Sequence, residues 1–536
     1  MLPERVIMPR LGHPNISHQN NAISMHKLFL IILLLSSVTI FAEVRLPALF
    51  QDHMVLQQNV EIPVWGWANP GEQIHLEFAG QQQEIIADEA GEWSTSLAPM
   101  PYGGPYQMTL YAENEIVLND ILLGEVWLCS GQSNMAWTVA KSNDSENEIA
   151  MADYPSIRLF EVKRTPAYDE PKSDCVGEWT SCSPGTIGKF SAVAYFFGRK
   201  IHTDLNVPVG LIHSSWGGTR VEAWTSRTTL EQHEIGTSAL QDYENKLSTF
   251  DPQKSTAEYE ETLKKWETKK LRNPDAKKPK RKPSPAKNKN APSGLFNGMI
   301  HPLIPYAMKG AIWYQGEANS KTEQDAFQYR DLLVSMIVNW RQSWGQGDFP
   351  FYFVQLPALK SEKVSWPITR ESMSEVHRTT SNTGMVVTID LEGSKNLHPR
   401  NKQDVGYRLA LLALGDTYQK EIIYSGPEVR TVSLKGTAVM ISFQFAEGGL
   451  STIGDEVLGF ELAGADGKYH AATANIVTTG FIKKRRNQVK VICSTIGKPV
   501  FIRYAWANDP DVSLKNDAGL PVAPFRYDLS ESDKND

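Results

Sequence analysis

The sequence predicts an α/β protein in which a central parallel sheet flanked by helices lies between an N-terminal and a C-terminal β-sandwich module. Residues 120–420 alternate apolar strand-like runs with helix-like segments, which is typical of βαβ units. Residues 43–119 and 421–536 instead contain short alternating runs separated by turn residues. The chain of 536 residues also exceeds the ~250 to 300 residues of a single core, so several domains are expected.

Residues 1–42 predict an N-terminal extension that ends in a signal peptide. Met25 and Lys27 precede the apolar run Leu28–Leu35, and Ala42 is a candidate for the residue before the cleavage site. The run is too short for a membrane span. We therefore expect an exported protein, periplasmic or extracellular, with no stable membrane span after cleavage. Met25 is an alternative translation start.

Charge and cysteine usage restrict the partners. A net charge of −7 with 21% charged residues gives no reason to expect nucleic-acid binding. No metal-ligand spacing links the four cysteines. Cys129 is expected to be a buried thiol, whereas export leaves open a disulfide between Cys175 and Cys182. The sequence does not specify an oligomeric state.

The N-terminal module, residues 43–119, is predicted from strand-like runs separated by Pro-Gly and Gly-Gly turns. Its last strand runs almost directly into the central domain, so we expect the two to pack together. The runs are Val60–Trp67, Ile74–Phe78, Tyr106–Leu110 and Glu115–Leu118.

The central domain, residues 120–420, carries an insertion at about 230–292. The insertion has a helix-like stretch near Tyr259–Lys269 and a basic run, Lys277–Pro283, which is either a solvated loop or a surface for acidic glycans. Predicted helices outside it are Ala192–His202, Tyr329–Trp340 and Val405–Leu414. Predicted strands are Gly210–Ser214, Gly310–Tyr314, Phe351–Leu356 and Met385–Ile389.

The C-terminal module, residues 421–536, is predicted from a return of the strand pattern. Its clearest runs are Val429–Leu434, Ala438–Phe443, Val489–Cys493 and Val500–Ala505.

A candidate nucleophile follows an apolar run in the central domain. Val126–Cys129 reads as a strand, and the turn after it contains Gly131 and then Ser133. A glycine permits the close-packed backbone that lets a serine hydroxyl stand clear at the carboxyl end of a strand. The turn is not a G-x-S-x-G elbow, because Asn134 and Met135 follow the serine.

Four clusters of reactive residue types lie mostly at predicted strand ends. They are Ser133, 215–219 (SWGGT), 313–319 (WYQGEAN) and 396–399 (NLHP). Because the carboxyl ends of parallel strands share one edge of a sheet, these clusters could meet without being adjacent in sequence.

The combination of motifs resembles the sialate O-acetylesterases of the SGNH hydrolase superfamily. The resemblance rests on six motifs. GEVWLCSGQSNM, SSWGGT, WYQGEAN and HPxNK lie in the central domain, DHMVLQQ lies near the start, and NDAGLPVAPFRYD lies near the end. The resemblance covers nearly the whole mature chain. It implies an SGNH-like fold and a cofactor-independent serine esterase acting on an O-acetylated sugar or glycan.

The resemblance also implies roles for individual residues. Ser133 would attack the acetyl carbonyl, with His398 as general base and then general acid. The expected oxyanion donors are the N–H of Ser133, the N–H of Gly217 or Gly218, and the Gln315 side chain. His301 and His377 lie outside the matching motifs.

The acid partner of His398 is left open. Many SGNH hydrolases have an aspartate three residues before the histidine, but Lys395 occupies that position here. Asp390, Glu392 and Glu317 are alternatives. A Ser-His dyad supported by backbone carbonyls is another.

Substrate recognition also leaves alternatives. Gln132 and Asn134 flank the nucleophile and are candidate substrate-binding residues. Arg220 or Arg370 could bind a sialate carboxylate bidentately or form ordinary salt bridges. Acetyl xylan or another acetylated carbohydrate is an alternative substrate. An inactive carbohydrate-binding protein is a second alternative.

Overall fold

The computed structural model describes residues 43–361, 365–391, 395–452, 454, 456–479 and 485–530. The predicted extension and signal peptide, 1–42, lie outside these residues. From Val44 onward the chain forms one compact unit. In the described ranges no helix has both the length and the apolar character needed to cross a membrane.

Strands are numbered in chain order. They are β1 Val55–Gln57, β2 Ile62–Trp67, β3 Gln73–Phe78, β4 Gln81–Ile86, β5 Glu92–Leu97, β6 Gly103–Tyr111, β7 Glu115–Gly131, β8 Tyr154–Glu161, β9 Trp179–Cys182, β10 Val209–Ser215, β11 Gly310–Tyr314, β12 Phe351–Val354, β13 Thr383–Val386, β14 Glu428–Lys435, β15 Ala438–Gln444, β16 Leu450–Thr452, β17 Phe460–Ala463, β18 Tyr469–Ala471, β19 Thr473–Thr479, β20 Arg485–Ile492, β21 Phe501–Tyr504, β22 Leu514–Asn516 and β23 Phe525–Asp528. The α-helices are α1 Ser145–Ala150, α2 Ala192–Leu205, α3 Arg227–Leu230, α4 Glu234–Ser248, α5 Pro252–Arg272, α6 Glu323–Trp344, α7 Trp366–Thr379 and α8 Gln403–Leu412.

The central sheet has the strand order β13-β12-β11-β7-β10-β8-β9. Neighbouring strands are parallel from β13 through β8, and β9 pairs antiparallel with β8 at the edge. The α/β class with a sheet flanked by helices is therefore confirmed. The sheet is mixed rather than purely parallel.

Strand β7 joins the N-terminal module to the central sheet. Its first part pairs antiparallel with β6, and its last part lies between β10 and β11. The predicted boundary at 119/120 falls inside this strand. Asn119-Asp120 resembles a turn because Asp120 has a φ of 54°, but the ladder only shifts register there and continues as a bulge.

The central sheet is buried on both faces. Along β7, Val126 and Leu128 join one hydrophobic cluster, which also contains the buried side of α6 and α7. The alternate residues Trp127 and Cys129 join the opposite cluster, which contains α2 and α8. This two-residue alternation between two apolar layers explains why strands of this sheet are almost continuously apolar.

The chain after α8 forms antiparallel strand groups, β14-β15-β20-β19, β18-β17-β21-β23 and β16-β22. They enclose a third core that also includes Val387 and Ile389 from the end of the central domain. In the insertion, α5 buries no residue, and the basic run Lys277–Pro283 is largely exposed.

The cysteines at 175 and 182 are free thiols, so the disulfide alternative is contradicted. Their side chains belong to different clusters, one on each side of the sheet. Burial raises the pKa of each of these thiols to about 12. Cys129 is a buried free thiol, as predicted.

Candidate active site

The nucleophile turn begins where β7 ends. Gly131 has a φ of 136°, and a Cβ at this position would lie 2.2 Å from the carbonyl oxygen of Tyr314. A side chain would therefore clash with the neighbouring strand. The next amide, Gln132 N, donates to the same Tyr314 oxygen at 2.9 Å. Glycine is thus required for β7 to pass this close to β11 immediately before Ser133.

Strand register brings three sequence motifs to one edge of the sheet. Gly131 is the neighbour of both Ser215 at the end of β10 and Tyr314 at the end of β11. Trp216 N then donates to the Gly131 oxygen at 3.1 Å. These three motifs therefore meet at the carboxyl ends of parallel strands, as predicted.

His398 reaches the same edge from a loop. Its Nε2 lies 2.8 Å from Oγ of Ser133, across 265 positions in the sequence. The loop is shaped by a hydrogen bond from His398 N to Oδ1 of Asn396 at 3.0 Å. The imidazole stacks on Trp137, with ring centroids 5.2 Å apart and an interplanar angle of 19°. The serine and histidine are therefore positioned for proton transfer.

The surroundings of His398 favour the neutral imidazole. Burial lowers its pKa below the ordinary 6.5, and the positive charges of Lys402 and Lys141 lower it further. A neutral imidazole can accept the serine proton, so His398 has the protonation state of a general base near neutral pH.

The backbone beside Ser133 offers oxyanion donors. A Cβ on Gly217 would lie 3.1 Å from the Ser133 Cβ and 3.7 Å from Ser133 N. Among the described residues no acceptor is bonded to the N–H of Ser133, Gly217 or Gly218. Backbone donors left unbonded next to a nucleophile are suited to stabilise a developing oxyanion.

Gln315 does not take the oxyanion role predicted for it. Its Nε2 donates to the Thr219 oxygen at 2.9 Å and to Oδ1 of Asn319 at 2.8 Å. Its Oε1 accepts from the hydroxyl of Tyr329 at 2.8 Å. The side chain is fully buried, and its amide links the loops after β10 and β11. Its polar atoms are therefore used inside the protein.

The candidate acids do not contact His398. Asp390 forms a bidentate pair with Arg408, with both N–O distances 2.7 Å. Glu317 accepts from the Asn134 amide at 2.6 Å. In the described part of the chain no carboxylate bonds to the imidazole, and Glu392 lies outside the described residues. Asp390 and Glu317 are therefore wrong as triad acids.

Comparison with known proteins assigns the chain to a family. A profile of the family described as carbohydrate esterase, sialic acid-specific acetylesterase, matches residues 123–267 and 293–414. The chain is 33% identical to a carbohydrate acetylesterase from Xanthomonas citri, with a TM-score of 0.76; the match covers 90% of this chain and 99% of that one. The chain belongs to the sialic acid-specific acetylesterase family.

Curated relatives agree with this assignment. The sialate O-acetylesterases of Mus musculus and Homo sapiens are each 29% identical to this esterase. The matches cover 91% and 90% of this chain and 94% and 92% of theirs. The resemblance to the sialate O-acetylesterases is confirmed, and the protein is a carboxylic ester hydrolase. The comparisons support sialate O-acetylesterase activity and disfavour the alternative of an inactive binding protein.

The neighbours of the nucleophile, Gln132 and Asn134, lie beneath the site rather than facing substrate. Both are buried, with 2% and 0% exposure. Asn134 donates to Glu317 and accepts from Nζ of Lys402 at 2.7 Å, while Gln132 accepts from Ala318 N at 3.3 Å. The predicted substrate contacts are therefore wrong for these side chains, which instead connect the serine turn to neighbouring loops of the esterase.

The Glu317 carboxylate is buried next to Asn134. Burial raises its pKa, while the Asn134 hydrogen bond and the positive charge of Lys402 oppose the rise. Its Oε2 has no hydrogen-bond partner among the described residues. Asn134 therefore bridges a buried carboxylate and a buried ammonium group directly under the nucleophile.

The two predicted carboxylate-binding arginines are occupied within the protein. Arg370 has no exposed surface and donates to four backbone carbonyls, including Ala507 and Asn508 of the C-terminal region. Arg220 pairs with Glu222 and Asp325, each at 2.8 Å. The substrate-binding role is therefore wrong for Arg370, and Arg220 has the structural salt-bridge role.

Sequence reasoning missed three residues around His398. Trp137 lies four positions after Ser133, and Lys402 lies within the HPxNK motif, but neither was assigned a role. Lys141 places its Nζ 5.6 Å from the Trp137 ring centroid. Elsewhere, His301 bonds to the Lys172 carbonyl and His377 pairs with Glu428.

The described residues contain no group of three or more His, Cys, Asp or Glu side chains able to hold a metal ion.

Proposed function

We propose that this esterase removes O-acetyl groups from sialic acids by nucleophilic catalysis, with Ser133 as nucleophile and His398 as general acid–base. The single observation that carries the catalytic assignment is the 2.8 Å contact between Nε2 of His398 and Oγ of Ser133. The pair lies at the carboxyl edge of the central sheet, where unbonded backbone N–H groups also converge.

Acylation begins with attack of Ser133 Oγ on the acetyl carbonyl carbon while Nε2 of His398 accepts the hydroxyl proton. The C=O π electrons move onto oxygen and form a tetrahedral oxyanion. Collapse of this intermediate breaks the bond between the acetyl carbon and the sugar oxygen. The imidazolium returns its proton to that oxygen, so the deacetylated sugar leaves as an alcohol.

Deacylation repeats the sequence with water. His398 removes a proton from water, the hydroxide oxygen attacks the acetyl-Ser133 carbonyl, and the second tetrahedral intermediate expels Ser133. The proton returns to Oγ, and acetate is released. The N–H groups of Ser133 and Gly217 or Gly218 would stabilise both oxyanions, at ~100- to 1,000-fold in rate per donor.

The pair works as a dyad in this proposal. The bonds of Asp390 to Arg408 and of Glu317 to Asn134 leave these carboxylates engaged elsewhere. The histidine is instead oriented by stacking on Trp137 and by its own loop. Burial, and after it the neighbouring positive charges, lower the pKa of His398 and keep the imidazole neutral before the reaction. A single general base still supplies a rate gain of ~100- to 10,000-fold.

The substrate assignment rests on the family and its curated relatives, which act on sialate esters by name. We also propose that the central domain is of the SGNH hydrolase type, that both terminal β-modules are sandwiches, and that the protein is exported to the periplasm or beyond the cell. The last proposal follows from residues 1–42 alone.

Paired assays test this function. Wild type should release acetate from O-acetylated N-acetylneuraminic acid and hydrolyse p-nitrophenyl acetate, while Ser133→Ala should do neither. Acetyl xylan serves as the comparison substrate. Hydrolysis of acetyl xylan with none of the sialate ester would contradict the substrate class but leave the serine mechanism intact.

A further inference from the structure

Two basic side chains lie against the glycine loop beside the nucleophile, and the mechanism uses neither. Arg164 follows β8 and donates from Nε to the Ser215 oxygen at 3.1 Å. Lys289, at the end of the insertion, donates from Nζ to the Gly217 oxygen. The two cations are thus held on carbonyls two residues apart, in a loop where a Cβ on Gly217 would lie 3.1 Å from the Ser133 Cβ.

No carboxylate of the described residues pairs with either cation. Within the described ranges no carboxylate lies within 4.0 Å of Arg164 or Lys289, although Arg220 on the same loop pairs with two acids. Arg164 is exposed and Lys289 is half-buried. Burial and the charge of Arg164 both lower the pKa of Lys289, so the two cations repel each other. An anion between them would relieve that repulsion.

We infer that Arg164 and Lys289 form a carboxylate-binding subsite that selects acidic sugars carrying the acetyl ester. This rests on the proposed serine esterase function. A sugar whose acetyl group lies against Ser133 would direct its carboxylate to the guanidinium fork and the ammonium group. Sialic acids and O-acetylated uronic acids share the required carboxylate.

Only one of the two proposed subsite residues lies in the region that the family profile matches. Arg164 lies within the stretch matched by the family profile, whereas Lys289 lies in the gap between residues 267 and 293. The end of the insertion is fixed to the catalytic loop at a second point, because Asn290 donates to the Gly218 oxygen at 3.1 Å. Its Oδ1 also accepts from Arg220 N at 2.8 Å. The insertion therefore delivers Lys289 to the site through a defined contact.

The direct test compares O-acetylated N-acetylneuraminic acid with its carboxylate methyl ester, which removes the negative charge and keeps the acetyl group. Wild type should favour the free acid by about 10- to 100-fold in kcat/KM, mainly through KM. Arg164→Gln and Lys289→Gln should each reduce this ratio about 3- to 10-fold, and the double variant should bring it close to one. Activity on p-nitrophenyl acetate, which has no carboxylate, is measured for every variant, so that an effect on the catalytic loop is separated from an effect on carboxylate binding.

Lys163→Gln and Lys287→Gln are matched controls, since both lysines are exposed neighbours of the two cations. They should keep the wild-type ratio. A wild-type ratio near one overturns the subsite without any variant having to fold. An unchanged ratio in the double variant, or a double variant that loses p-nitrophenyl acetate activity equally, overturns it as well.

Parallel arms separate this inference from the proposed function. O-acetylated galacturonate and neutral acetyl xylan are assayed beside the sialate. Hydrolysis of the uronate but not the sialate, with loss in the double variant, would keep the subsite and reject the sialate substrate. Loss of all hydrolysis in Ser133→Ala establishes that the esterase itself is being measured.

Discussion

Two serine–histidine pairs lie near each other at the edge of the central sheet. Ser215 of one pair is the register neighbour of Gly131, which lies two positions before Ser133 of the other. Ser133 and His398 are 2.8 Å apart, while Ser215 and His213 are 2.6 Å apart. The second pair even has an acid, because Nδ1 of His213 contacts Oε2 of Glu161 at 2.6 Å. By hydrogen bonding alone, the second pair looks the more complete triad.

The two pairs differ in the exposure of the serine and in the presence of oxyanion donors beside it. Ser215 is only 2% exposed and pairs with Gly131 at the end of β10, so burial keeps an ester carbonyl away from its hydroxyl. Ser133 lies in a turn beyond its strand, with Gly217 beside it. A catalytic serine thus needs an accessible hydroxyl and oxyanion donors as well as a base. We regard the second pair as a buried network that stabilises β10.

The largest expected effect separates the two serines. Ser133→Ala should reduce kcat on p-nitrophenyl acetate by about 10⁴-fold or more, because the nucleophile is removed. Ser215→Ala should keep activity within about threefold but lower the free energy of unfolding by about 1 to 3 kcal/mol, because His213 loses a buried partner. Steady-state kinetics and urea unfolding measure the two effects. Equal kinetic losses would break the distinction.

The second largest expected effect is the difference in kcat between variants of the two histidines. His398→Gln should cost about 10³-fold in kcat, within the range of general-base catalysis. His213→Gln should act on stability instead, with an unfolding midpoint below that of wild type. A large kinetic loss in His213→Gln with unchanged folding would mean that the second pair contributes to catalysis.

A smaller effect is expected from the glycine beside the nucleophile. Gly217→Ala should lower kcat about 10- to 100-fold, because its Cβ would press on the Ser133 Cβ at 3.1 Å and displace an oxyanion donor. Gly188→Ala is a matched control, since the nearest atom to its added Cβ is a flexible isoleucine methyl at 3.4 Å. The same kcat in both variants would contradict the role of Gly217 in stabilising the oxyanion.

The smallest effect concerns pH. Since His398 must be neutral to accept a proton, and burial and two lysines lower its pKa, the acid limb of kcat/KM should have its midpoint below pH 6.5. Lys141→Gln removes a positive charge, so the midpoint should move upward by about a few tenths of a pH unit. Lys163→Gln should not move it. A downward shift in Lys141→Gln would contradict the electrostatic account.

The sequence was most informative where periodicity or a motif decides the structure. The strand Gly310–Tyr314 has the predicted bounds, and the helices predicted at Ala192–His202 and Tyr329–Trp340 are present but longer. The strand and the helices depend on local periodicity that the sequence carries directly. The pairing of Ser133 with His398 was implied by the family resemblance, because no local pattern places a loop histidine beside a serine 265 positions away.

Side-chain pairing was far less predictable. Asp390 was a reasonable acid by position, but its partner Arg408 lies 18 residues away on a helix. Arg370 looked available for substrate, yet its carbonyl acceptors include residues about 137 positions later. Which polar group satisfies a buried charge depends on tertiary contacts, and one sequence does not contain that information in any periodic form.

Covalent labelling tests the central claim most directly. The esterase would be treated with a p-nitrophenyl phosphonate, which traps activated serines, and its peptides analysed by mass spectrometry. We predict stoichiometric labelling of Ser133 alone, strongly slowed in His398→Gln and unaffected in His213→Gln. Labelling of Ser215, or of Ser133 at the same rate without His398, would contradict the account.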